Sequence, residues 1–295
     1  MKSKLMGAIC LFLAASIWGG MFVVSKYVLS FISPITLVWT RYVIAFIVLF
    51  ILLIFSNRKK GIKMTVKKKD LLLIAWIGFV GYFASICLQF IGTKLSDAHT
   101  GSLITASTPV FVILFARFIL KEQFTKKKIA ALLIASCGVI IIIGLDSAMI
   151  KHFWGNIALV GAAVTWAMLS IYVKIASKKL DILTVTTYAM LFAILFTTPF
   201  MLYRHENVGL IINNGQVLFG VLYIGIVSTA AAFFLWNKGI ELMDTGIGSL
   251  FLFFQPVTGS ILGWICLGEQ LNYSFFIGGM LIIMAVLIAS KSEPA

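Results

Sequence analysis

The side chains whose types and spacing suit the handling of a small solute are two glutamines, two prolines and a set of aromatic residues. Pro109 and Pro256 stand near the midpoints of two apolar stretches, 98–120 and 245–267. A proline removes one backbone N–H and frees a carbonyl a turn earlier, here on Thr105 and Leu252. Lipid cannot satisfy that carbonyl, so it is expected to face protein or a wet cavity. Thr108 and Gln255 precede the prolines, where they either complete a ligand site or repair the break locally. Tyr82, Ser85 and Gln89 recur at i, i+3 and i+7, which is one face of a helix. Thr229 and Trp236 repeat the outer spacing further along, with Asn237 beside them. A polar stripe in an apolar helix points away from lipid, and an amide that donates and accepts suits a zwitterion or a neutral amide. Trp18 and Trp166 lie too deep in their stretches for an interfacial belt. Trp18, Tyr82, Gln89, Trp166, Trp236 and Gln255 are therefore expected to bound a midplane cavity for an amino-acid-sized solute. Pro109 and Pro256 are expected to act as breaks where helices change shape. The plainer use of the same residues is interhelical packing, at about 1 kcal/mol per hydrogen bond.

The ionisable residues are expected to play lesser parts. Arg41 lies about 10 Å inside its stretch, and the expectation is that it reaches back to the outer headgroups rather than holding a carboxylate. Arg117 is placed similarly at an inner end. Glu122 and Glu269 close the two proline-containing stretches and are expected at the starts of the helices that follow, against their positive dipole ends. No Asp or Glu lies mid-stretch, so a relay built on a deeply buried carboxylate has no candidate. There is no P-loop, which argues against nucleotide hydrolysis. His99, His152 and His205 are scattered. Cys10, Cys87, Cys137 and Cys266 fall in separate apolar runs with no C-x-x-C pair, so no metal, disulfide or cofactor is expected. Gly259 and Gly263 form a GxxxG that reads as close helix packing.

The elements that must position these residues follow from composition. Of 295 residues, 61% are hydrophobic and 12% charged, with mean hydropathy +1.07. Soluble domains carry about a quarter charged residues, so the solvent is lipid. Ten stretches reach or approach the roughly 20 apolar residues a span needs. They fall near 5–28, 34–55, 71–92, 98–120, 128–145, 154–176, 182–203, 217–237, 245–267 and 273–290.

These stretches repeat. Leu95–Gln123 returns as Leu242–Gln270, an offset of 147 residues, with ten of 29 positions identical. Gly7–Lys26 returns as Gly155–Lys174 with seven of 20 identical, including Trp18/Trp166 and Lys26/Lys174. A first stretch that is half of a duplication is not a discarded signal peptide. The chain therefore reads as two five-helix halves, 1–146 and 153–290. Five is odd, so the second half enters the membrane from the opposite side, which makes an all-α integral membrane fold of ten transmembrane helices in two inverted repeats. With the N-terminus inside, cytosolic segments hold 18 of the 24 Lys and Arg and outer loops hold four. Both termini are thus expected in the cytoplasm, and the net charge of +14 belongs to loops rather than to a nucleic-acid surface.

Four segments, AASIWGGMFVVSK (14–26), TRYVIA around Arg41, TPVFVILFARFILKEQF (108–124) and QPVTGSILGWICLGEQL (255–271), resemble the EamA family of the drug/metabolite transporter superfamily. The similarity covers essentially the whole chain. It implies helices 1–4 and 6–9 around a central cavity, with helices 5 and 10 outside. It also implies a secondary transporter in the cell membrane that exports amino acids or related metabolites. Arg117 departs from the family's pattern of apolar or small residues in its segment. The expected partners are a small-molecule substrate and membrane lipids, with no nucleic acid and with the oligomeric state left open. The alternative is an integral-membrane enzyme acting on lipid or prenyl substrates. Such chemistry usually needs paired carboxylates, a histidine cluster or metal ligands near the membrane surface, and the sequence spaces none convincingly.

Overall fold

The computed structural model describes residues 2–60, 66–95, 104–143, 153–204, 211, 213–267 and 273–290. Asp97, the histidines His99, His152 and His205, Glu269 and the expected connector 146–152 lie outside them, as do the side chains of Lys26, Gly263 and Cys266. All regular structure among the described residues is helical, as it must be where water cannot reach the backbone.

The helices, in chain order, are α1 (Lys2–Val28), α2 (Pro34–Lys60), α3 (68–95), α4 (Thr108–Leu120), α5 (Lys126–Ile143), α6 (Phe153–Ser177), α7 (Ile182–Arg204), α8 (Gly215–Leu242), α9 (245–267) and α10 (Tyr273–Ser290). Among the described residues, seven stretches, in α1, α2, α3, α6, α7, α8 and α9, are long and apolar enough to cross a membrane. The sequence pattern predicts ten. Among the described residues the other three helices are shorter: α4 starts at Thr108 after a turn over 106–107, α5 opens on three lysines over 18 residues, and α10 is also 18 residues long.

Local chemistry fixes several of the starts. Ser33 precedes Pro34 and its hydroxyl accepts from Thr36 N–H. Asp181 Oδ2 accepts from Leu183 N–H and caps α7. Asn214 Oδ1 caps α8 through Gln216 and Val217, and Asp244 Oδ1 caps α9 through Ile247. A cap of this kind is worth about 1 kcal/mol.

Among the described residues, four helices depart from α geometry. In α3 the turns over Gly78–Ala84 widen to π-helix, and in α8 those over Ile226–Ala231 do the same. An offset of 147 places one on the other, so the widened turns occupy equivalent positions in the two sequence repeats. α4 also ends in a π-turn, Ala116–Leu120. There Lys121 takes the left-handed conformation at φ 59°, and Glu122 N–H bonds back to the Ala116 carbonyl. α9 begins with α-helix over Thr245–Ser249, tightens to 3₁₀ over Leu250–Phe253, and resumes at Phe254 with Pro256 in its first turn.

Packing joins the two ends of the sequence. α1 lies against α8 and α9, α3 and α4 lie against α6, α2 lies against α7, and α5 lies against α10. The approaches are close where glycines meet. A Cβ on Gly19 would stand 2.6 Å from the Gln255 carbonyl, and one on Gly259 would stand 3.3 Å from the Gly19 carbonyl, so α1 rests on α9 at its break. The expected packing role of the GxxxG holds for Gly259. Outward faces carry large apolar side chains such as Leu72, Phe118 and Phe219. Trp154, Tyr203 and Tyr273 are exposed at helix ends, where amphipathic rings suit a membrane interface.

Candidate functional site

Phe233 of α8 is the hub of a buried cluster. Its ring meets Tyr82 of α3 at 4.8 Å, Trp18 of α1 at 5.5 Å and Trp166 of α6 at 5.6 Å, all edge to face. Trp18 in turn meets Trp166 at 5.2 Å and Trp236 at 5.5 Å. Of the residues the sequence singled out, the structure thus brings together Trp18, Tyr82, Trp166 and Trp236. The π-turns explain part of the geometry. Trp18 Nε1 donates to the Ser228 carbonyl at 3.0 Å, and Thr229 Oγ1 reaches back five residues to the Ile224 carbonyl at 2.7 Å, both inside the widened stretch of α8. On the other side, Tyr42 of α2 donates its hydroxyl to the Tyr82 carbonyl within the widened stretch of α3.

Polar groups thread this aromatic core. Asn237 Nδ2 donates to Tyr82 Oη at 2.7 Å and to Thr186 Oγ1 of α7 at 2.9 Å. Arg41 is 2% exposed, and its Nε donates to Thr229 Oγ1 at 2.7 Å. Its guanidinium lies 5.9 Å from the Tyr42 ring centroid and 5.8 Å from that of Phe233. This corrects the expectation that Arg41 reaches the outer headgroups. A hydroxyl at the centre of α8 and two aromatic faces draw the head inward, a combination worth more when desolvated. Several buried atoms are left over. Among the described residues, Trp166 Nε1, Trp236 Nε1, Ser228 Oγ and Asn237 Oδ1 have no hydrogen-bond partner. Native interiors pair nearly all such groups, so four orphans in one cluster call for an explanation.

The remaining expected site residues sit apart from these contacts. Gln89 and Gln255 are half-buried, and among the described residues their side chains make no hydrogen bond. Ser85 donates to the Ala162 carbonyl of α6 at 2.9 Å and serves as interhelical glue. At Pro109 the freed Thr105 carbonyl accepts from Thr108 Oγ1 at 2.6 Å, which is local repair of the break. Phe233 and Ser228 were not singled out from sequence, because nothing in the pattern announces a π-turn. Arg41 was the signal present in the sequence and misread there.

A charged cluster closes one end of the bundle. Glu122 accepts from Thr245 N–H at 2.8 Å and Gly246 N–H at 3.1 Å, at the start of α9. The expectation placed it on the helix that follows it in the chain, α5. The left-handed Lys121 instead turns it toward a helix start in the other half. Lys128 Nζ bridges Asp244 at 2.7 Å and Glu122 at 3.7 Å. Burial, and then the neighbouring Asp244 carboxylate, push the Glu122 carboxyl above its ordinary range, against the pull of the two backbone N–H groups. Lys174 Nζ donates to the carbonyls of Ile240, Glu241 and Met243, capping α8.

The family of this arrangement is decided by comparison. The EamA-like transporter family matches residues 5–144 and again 153–291. The chain belongs to that family. A Bacillus subtilis (strain 168) protein named as the uncharacterized transporter YetK is 29% identical over 99% of this chain and 89% of its own length. An uncharacterized transporter of Archaeoglobus fulgidus is 25% identical over 97% of this chain and 99% of its own. A protein of known crystal structure superposes with a TM-score of 0.81, covering 98% of this chain and 96% of its own at 18% identity, which shows a shared fold. Family and relatives are named as transporters, and the apolar helices make this EamA-like chain a multi-pass membrane protein.

Proposed function

We propose that this EamA-like chain is a secondary transporter of small metabolites, amino acids or related solutes, exporting them across the cytoplasmic membrane by alternating access. The observation that carries the reading is the buried cluster shared by both sequence halves. Trp18, Arg41, Tyr42 and Tyr82 come from the first, and Trp166, Ser228, Thr229, Phe233, Trp236 and Asn237 from the second. A site shared in this way can be offered to either side when the halves rock against each other. In this reading the chain has ten spans, as two inverted halves 1–146 and 153–290 with both termini cytoplasmic. The packing supports it, because exchanging α1–α5 with α6–α10 returns the main helix pairs: α1 on α8 and α9 becomes α6 on α3 and α4, and α2 with α7 and α5 with α10 return themselves. Gln89 and Gln255 are proposed to join the site as the halves move, with Pro109 and Pro256 as the breaks that let them move. The reading of the chain as a lipid-directed enzyme finds no support in a cluster of indoles, phenols, hydroxyls, an amide and one guanidinium. Purified protein in liposomes loaded with a panel of radiolabelled amino acids and organic acids tests the proposal. Efflux of at least one solute well above that from protein-free liposomes is expected. Efflux indistinguishable from the protein-free control for every solute would reject transport.

A further inference from the structure

Among the described residues, two basic side chains are deeply buried, and they are treated differently. Lys128, 4% exposed, is answered by Asp244 and Glu122. Arg41, 2% exposed, meets no carboxylate among the described residues. Thr229 holds its Nε, and the ring centroids of Tyr42 and Phe233 lie 5.9 and 5.8 Å from Cζ, so the head is held in place while no carboxylate answers its charge. An arginine has five N–H donors and does not give up its proton; the four on its terminal nitrogens have no protein acceptor among the described residues. An unpaired buried charge is costly, and a fold that keeps one in its centre gains by binding the counter-charge there. The orphaned atoms around Phe233 have the same sense. The indole N–H groups of Trp166 and Trp236 can only donate, and Ser228 adds a free hydroxyl.

We propose that Arg41 is the anchor for a carboxylate of the transported solute, so that the substrate class is small monocarboxylates, zwitterionic amino acids included. This rests on the reading of the cluster as the transport site. One positive charge matches one carboxylate, whereas a phosphate dianion would leave a net negative charge buried. The planar fork suits a carboxylate's two oxygens, the indole donors supplement it, and Asn237 Oδ1 is the free acceptor for an ammonium or amide N–H on the same solute.

The test uses matched pairs in which only the carboxylate differs: L-phenylalanine and L-phenylalaninamide, and 3-phenylpropionate and 3-phenylpropionamide. Binding to purified full-length protein is read from quenching of tryptophan emission, and flux of the same four compounds from proteoliposomes. The expectation is that the acids bind at least tenfold more tightly than their amides, that Arg41→Gln abolishes this preference, and that Arg41→Lys, a point charge without the fork, keeps part of it. Where Arg41→Gln fails to fold, Thr229→Val serves, since it keeps the charge, releases its orientation and should cut the preference several-fold. Acids that bind no better than amides, or a preference that survives in Arg41→Gln, overturn the anchor. Flux without acid preference would sink the anchor and leave transport standing. Tight acid binding without flux of any pair member would keep the anchor and count against transport.

Discussion

Trp236 buries its indole completely and yet leaves Nε1 without an acceptor among the described residues. An orphaned buried donor costs about 1–3 kcal/mol, so its presence in a well-packed core calls for a use. Trp236→Phe removes the donor and keeps an aromatic ring. The expected outcome is a melting temperature in detergent that holds or rises, together with a several-fold loss of solute efflux. A lower melting temperature with unchanged efflux would make the residue a packing element only. Asn237 gives the opposite case. Its amide bonds Tyr82 and Thr186, tying α8 to α3 and α7, so Asn237→Ala should cost about 0.6–1.7 kcal/mol, the range for interhelical hydrogen bonds inside membranes. Thermal unfolding of the two variants side by side separates a donor that adds nothing to stability from an amide whose Nδ2 ties three helices together. The sequence showed Trp18, Trp166, Trp236 and Tyr82 by their depth and register. It could not show that Gln89 stands outside their hydrogen bonds, because the shared-face argument assumed 3.6 residues per turn and α3 widens to π-helix at Tyr82.

At the scale of elements, the breaks and the charged latch set what can move. Thr108 already satisfies the carbonyl that Pro109 frees, so straightening α4 offers little new hydrogen bonding. Pro109→Ala and Pro256→Ala are therefore expected to express and melt like the parent while changing efflux several-fold. Parental efflux in both would reduce the prolines to packing features. The latch at the start of α9 carries a pH signature. The folded chain holds the Glu122 proton more tightly than an unfolded chain does, since its carboxyl lies above the ordinary range. That contribution to stability is full below the unfolded carboxylate pKa, about 4.3, and is lost as pH rises through the raised value. Melting temperature followed from about pH 4 upward should fall across this window in the parent and fall less in Glu122→Gln. Equal slopes would show that the proton on Glu122 is not linked to folding. Sequence alone gave the latch away only in part: the acid was visible as a helix-end residue, but its partners lie more than a hundred positions away.

For the whole molecule, what could be read from sequence was what repeats and what is apolar. Composition gave the lipid environment, and the two offsets near 147 gave the expectation of a duplication. The pairing of helices was not readable, because α1 meets α8 and α3 meets α6 through glycines and small side chains that carry no pattern of their own. Orientation rests on the 18-to-4 distribution of basic residues. Cysteines placed singly near Lys60, Lys127 and Lys178 should resist an impermeant thiol reagent in intact cells, and one near Phe153 should react; labelling at Lys60 from outside would overturn the orientation. The central claim is that the cluster around Phe233 is a solute site reached from each side by turns. It is tested most directly by Ser228→Cys, in a chain whose Cys10, Cys87, Cys137 and Cys266 are replaced by serine or alanine, reconstituted in liposomes. An impermeant reagent is expected to modify this cysteine whether supplied inside or outside, a transported solute to slow the modification, and modified protein to transport no longer. A cysteine that reacts from neither side while efflux proceeds at the parental rate would contradict it.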